Sequence, residues 1–103
     1  MDRADWSIQR FVVTGRVQGV GFRIFLAREA TRLRISGWVR NRGVNQVEAV
    51  VAGDPGALVV LATLAARGPS GARVDDFHSE ASDPAALAKV EGASERIVVA
   101  PSI

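Results

Sequence analysis

The sequence predicts an α+β two-layer sandwich, an antiparallel sheet of four to five strands with two helices packed on one face. Three observations point that way. Short β-rich runs alternate with two segments of helical periodicity, and glycine or proline stands at most of the junctions between them. The chain of 103 residues, 48% of them hydrophobic, is long enough for one core and too short for two ordinary domains.

Residues 1–7 are expected to be a disordered N-terminal tail and residues 8–103 a single domain. Residues 10–14 read as the first strand, with Phe11 and Val13 on one face and a glycine-rich loop at the end. Phe22, Leu26, Ala30 and Leu33 recur at helical spacing and predict a helix over 22–33. Residues 35–40 and 46–52 form the next two strands, joined by Asn41-Arg42-Gly43-Val44-Asn45, where both Gly and Asn tolerate positive φ. Asp54-Pro55 supplies an N-cap followed by a first-turn proline, and Gly68-Pro69 a stop, so the second helix covers 56–67.

Residues 73–79 are the fourth strand. Val74 and Phe77 are three apart, so burying both on one face requires a bulge. Asp83-Pro84 can open a short helix reaching Val90, and residues 97–100 make a fifth strand. The order βαββαβ plus a terminal strand corresponds to the ferredoxin-like arrangement. Right-handed crossovers in that topology bring the glycine loop beside the end of the strand that carries Trp38.

The chemistry concentrates in Gly15-Arg16-Val17-Gln18-Gly19-Val20-Gly21-Phe22-Arg23. Glycines allow successive backbone N–H groups to converge, and a following helix N-terminus adds partial positive charge, which together make an anion cradle. Arg23 in the first helical turn opposes the macrodipole, a cost that a bound anion would offset. Taken alone, the same residues also suit a tight turn with an arginine in solvent.

Gly37-Trp38-Val39-Arg40-Asn41, followed by Val47-Glu48, changes that balance. Together with Val17-Gln18-Gly19-Val20-Gly21-Phe22-Arg23, these blocks resemble the acylphosphatases, small enzymes that hydrolyse carboxyl phosphate anhydrides. The likeness is specific from residue 11 to 48, weaker to residue 80 and thin beyond. It implies the ferredoxin-like fold and hydrolysis of small acyl phosphates to carboxylate and inorganic phosphate. It also implies that phosphate rests on the backbone of Gly15, Arg16, Val17, Gln18, Gly19, Val20 and Gly21, that Arg23 grips its oxygens, and that Asn41 orients the attacking water. The leaving carboxylate has a conjugate acid of pKa about 4–5, so no general acid is needed. Three departures from the family pattern stand out: Arg34 where glycine is usual after the first helix, Val44-Asn45 where Asp-Gly is common, and a longer link over residues 82–96.

Composition narrows the remaining classes. Without cysteine there are no disulfides, thiolate metal sites or cysteine nucleophiles. The single histidine, His78, has no nucleophile or carboxylate at motif spacing, and Asp75-Asp76 read as a solvated pair, so neither metal nor cofactor is expected. Residues 1–42 carry nine arginines against three acids, and residues 43–103 four bases against eight acids, which puts the cradle in the basic part of the chain. No segment approaches the roughly 18 apolar residues of a membrane span, so a cytoplasmic monomer without membrane partners is expected. Two rival readings are a noncatalytic anion-binding module and a nucleic-acid binder on the same scaffold. The lack of tyrosine and of any aromatic-rich strand speaks against the second.

Overall fold

The computed structural model describes residues 5–103. Five strands and three helices follow in the order β1 Ser7–Arg16, α1 Phe22–Arg32, β2 Ser36–Arg42, β3 Gln46–Gly53, α2 Pro55–Arg67, β4 Arg73–Ala81, α3 Pro84–Leu87 and β5 Ile97–Val99. One sheet holds all the strands in the order β4-β1-β3-β2-β5. Neighbours β4, β1, β3 and β2 pair antiparallel, whereas β5 lies parallel to β2. The sheet is thus antiparallel in its four long strands and mixed at one edge, since β5 returns through the long connection after α3 and enters in the direction of β2.

Alternation along the strands sorts side chains to two faces. Phe11, Val13, Val39, Val47, Ala49 and Val51 form one core with Phe22, Leu26 and Ala30 of α1 and Leu58, Leu61 and Ala65 of α2. Each large side chain buried there contributes about 1.5–3 kcal/mol. On the opposite face Trp38, Val50 and Ala52 meet Leu87, Ala93 and the half-buried Trp6. Trp38 Nε1 donates to the Ala86 carbonyl at 3.0 Å, which fastens α3 over that second, smaller core.

Several boundaries differ from expectation for identifiable reasons. Residues 1–4 of the expected tail lie outside the described residues, but Ser7 already pairs with Gly53, and Trp6 packs on the second core. The ordered chain therefore starts before residue 8, because an aromatic side chain finds a buried surface there. In the hairpin Gly43 takes φ 60, while Asn45 is not in the left-handed region; β2 extends to Arg42 and shortens the turn. The third helix ends at Leu87, not Val90, and turns follow it.

The bulge required by Val74 and Phe77 is present. Thr14 pairs with Asp76 and Gly15 with Val74, leaving Asp75 as the extra residue, and both Val74 and Phe77 pack on the helix-covered core. Phe77 meets Phe11 with ring centroids 5.3 Å apart.

Arg34 occupies the left-handed region, φ 58, at the exit of α1. Arg34 N–H donates to Thr31 O and Ile35 N–H to Ala30 O, closing the helix end in a conformation that glycine would adopt more easily.

Candidate active site

The glycine loop is a continuation of β1. At Gly15, φ 141, a Cβ would come within 2.2 Å of the Arg73 carbonyl oxygen, so the close approach of β4 at the bulge excludes any side chain. The Gly15 N–H donates across to Asn45 O at 2.9 Å. Val17 is then driven into the core, pinning the loop from below. Gly19 and Gly21 both take left-handed φ, 73 and 77, with open space where a Cβ would project. Backbone conformation, not crowding, explains glycine at those two positions.

Gly21 is the N-cap of α1 and offers no side chain to its first turn, which also holds no acidic residue. Among the described residues, no backbone N–H from Val17 to Gly21 donates to a protein acceptor. The loop and the helix end together thus present a run of unpaired donors at the positive end of the helix dipole. Arg23, second in α1 and half-buried, makes no hydrogen bond or ion pair with a protein group among the described residues.

Gln18 connects this loop to the β2–β3 hairpin. Its Nε2 lies 3.0 Å from the carbonyl oxygens of Gly43 and Gln46 and 3.4 Å from that of Arg42. The amide N–H groups can serve two of these well, so the three carbonyls form a seat for one side chain. In the sequence nothing marks the Gln18 side chain as a link to the hairpin. Its reach to the hairpin depends on the fold bringing residues 18 and 46 together, which spacing does not reveal.

Asn41 stands near the end of β2, paired with Val47 and therefore on the helix-covered side of the sheet. Its backbone carbonyl accepts from Ile103 N–H at 3.0 Å. Its Oδ1 is shut away from solvent and accepts no hydrogen bond. A buried acceptor left in that state costs about 1–3 kcal/mol.

The opposite face of the same strands carries a network that the sequence reading missed. Glu48 is buried, with Arg10 Nε 2.8 Å from its Oε2 and Arg40 Nη2 2.8 Å from its Oε1. Arg10 also reaches Glu80 at 2.9 Å, and the Arg40 guanidinium lies 4.6 Å from the centre of the Trp38 ring. Burial acts to raise the Glu48 pKa, but the hydrogen bonds and charges of Arg40 and Arg10 outweigh it and hold the carboxyl below its ordinary value. For Arg10, burial acts to lower the pKa, and bonds to Glu48 and Glu80 raise it overall. Alternation of Trp38 with Arg40 and the placement of Glu48 amid apolar neighbours were the available signals; the pairing itself needed the strand register.

Among the described residues, no three His, Asp or Glu side chains stand close enough to share a metal ion, and no helix is long and apolar enough to cross a membrane.

Comparison with known proteins agrees with this architecture. The family model for acylphosphatase matches residues 9–90. An acylphosphatase of Nitrobacter hamburgensis is 48% identical over 71 residues, covering 69% of this chain and 72% of the relative. One of Bradyrhizobium diazoefficiens is 37% identical over 97 residues, covering 94% and 97%. The crystal structure of acylphosphatase from Bacillus subtilis superposes with a TM-score of 0.78 at 33% identity, covering 90% of this chain and 97% of that one. With the family pattern spanning the glycine loop, both core layers and the β2–β3 hairpin, and with the reported relatives covered over 72% to 97% of their length, the chain belongs to the acylphosphatase family.

Proposed function

We propose that this acylphosphatase hydrolyses small acyl phosphates by positioning and charge stabilisation supplied by the glycine loop, Arg23 and Asn41. The observation that carries the reading is the concentration of unpaired polar groups where the glycine loop meets the β2–β3 hairpin: the loop N–H groups from Val17 to Gly21, the Arg23 guanidinium and the Asn41 side-chain Oδ1. Protein groups kept without partners are groups available to a ligand.

The phosphoryl oxygens take the free backbone N–H groups of residues 17–21, the Gly15 N–H being spent on Asn45 O, and the Arg23 fork adds charge-assisted bonds to them. With its amide turned so that Oδ1 faces the loop, Asn41 accepts a hydrogen bond from a water and holds it for attack on phosphorus. As the new O–P bond forms, the bond from phosphorus to the acyl oxygen breaks and the carboxylate departs with the electron pair. That carboxylate is stable at neutral pH, so neither a general acid nor a strong base is required. Holding the reactants and stabilising the equatorial oxygens supply the acceleration.

Incubation with benzoyl phosphate, compared with its spontaneous decay, tests the reading. Expected are turnover that persists in EDTA, competitive inhibition by inorganic phosphate, and a phosphate-dependent rise in melting temperature. Saturable phosphate binding without turnover would instead identify a noncatalytic anion-binding module. Activity lost on chelation and restored by metal would overturn the mechanism. The substrate is a small molecule and the product inorganic phosphate; a cytoplasmic monomer acting without nucleic acid or membrane completes the proposal.

A further inference from the structure

The exit of α1 lies about 16 Å along the helix axis from its Arg23 end. There a cavity of about 310 Å³ opens between α1 and the segment leading into β5. Trp6, Ile35 and Ile97 supply apolar walls, and Arg34 and Arg96 outnumber Glu95 among its charged groups.

Two features at this cavity serve no evident purpose in the fold. Arg34 is the one non-glycine residue with positive φ among the described residues, and its guanidinium makes no hydrogen bond or ion pair there. The exposed Arg34 thus combines a strained backbone with an unpaired cation at a position where glycine would serve. Ser36, 3% exposed, also lines the cavity, and its hydroxyl has no hydrogen-bond partner. The negative end of α1 does not oppose an anion here, because Ala30 O and Thr31 O already accept from Ile35 and Arg34 N–H.

We propose that this cavity is a second ligand site, separate from the glycine loop, for a small flat carboxylic acid. Arg34 offers a two-pronged fork to the carboxylate, the indole of Trp6 and the two isoleucines receive an apolar body, and the ligand supplies the partner that the Ser36 hydroxyl lacks. Inorganic phosphate suits the site poorly, since these walls are apolar.

Calorimetric titration with benzoate and with indole-3-acetate, in the presence of saturating inorganic phosphate to fill the glycine loop, tests this. Saturable binding of at least one acid is expected in the wild type. Arg34→Gly, which relieves the strained backbone, should weaken it about tenfold or more while leaving benzoyl phosphate hydrolysis unchanged. Ser36→Ala should also weaken it, with the fold retained because an orphan hydroxyl is removed. The proposal falls if neither acid binds saturably at millimolar concentration, if Arg34→Gly binds as tightly as the wild type, or if phosphate displaces the acid.

Discussion

Arg40 and Asn41 are neighbours in sequence on opposite faces of β2, and their surroundings are inverse. The Arg40 guanidinium is engaged on two sides, by Glu48 and by the Trp38 ring. The Asn41 oxygen has no partner. The first arrangement closes on itself and holds β1, β2 and β3 in register; the second leaves its capacity open beside a loop of unpaired N–H groups. Polar side chains at similar depth therefore do different work according to whether the protein itself satisfies them.

The largest test of that contrast is Arg23→Ala. Loss of the cation should lower kcat/KM for benzoyl phosphate by about 10³-fold, with weaker phosphate inhibition, since it meets the anion before and during reaction. Thermal melts should stay level or rise slightly, because a cation leaves a helix N-terminus. A folded variant that is fully active and tight for phosphate would remove the site from this end of the molecule. Asn41→Ala should lower kcat by about 100-fold with phosphate inhibition largely kept, the pattern of a lost water-holding group.

On the closed face the signs reverse. Glu48→Gln should cost about 2–3 kcal/mol of stability and leave kcat nearly unchanged, because two arginines lose a shared counter-charge. Acid titration of melting sharpens this. The folded Glu48 pKa is depressed, so its contribution is complete above the unfolded carboxylate value and is lost as pH falls through the lower folded value. The stability gap between wild type and Glu48→Gln should therefore hold at neutral pH and narrow only below about pH 4.

Gln18→Ala lies between the two regions. Releasing the hairpin from the loop should lower kcat about tenfold while the phosphate-induced melting shift remains, one hydrogen-bond seat being worth about 1–1.5 kcal/mol. The smallest effect is a gain: Arg34→Gly should raise stability by about 1 kcal/mol, or roughly 5 °C in Tm.

Features set by local spacing were legible in the sequence. The Asp54-Pro55 cap does what its pattern implies, with Asp54 Oδ2 accepting from Ala57 N–H at 3.2 Å. The bulge at Asp75 followed from two apolar residues three apart. The cradle from Gly15 to Gly21 with Arg23 is read from its glycines and the helix that follows, whereas Asn41 and the division of roles rest on the resemblance. What escaped depends on register or on distant segments. The Arg10–Glu48–Arg40 network joins three strands, the Gln18 seat joins residues 28 apart, and the parallel docking of β5 follows a connection with little apolar patterning.

The placement of β4 at the sheet edge has a consequence for behaviour at high concentration. Its outer side offers unpaired backbone groups over nine residues, long enough to template another chain. Yet Asp75, Asp76, His78 and Glu80 are all exposed along it, and the bulge at Asp75 breaks the flat ladder a second strand would need. The far edge is β5, only three residues long and followed closely by Pro101. The irregularity that buries Val74 and Phe77 together therefore also guards the molecule against edge-to-edge aggregation.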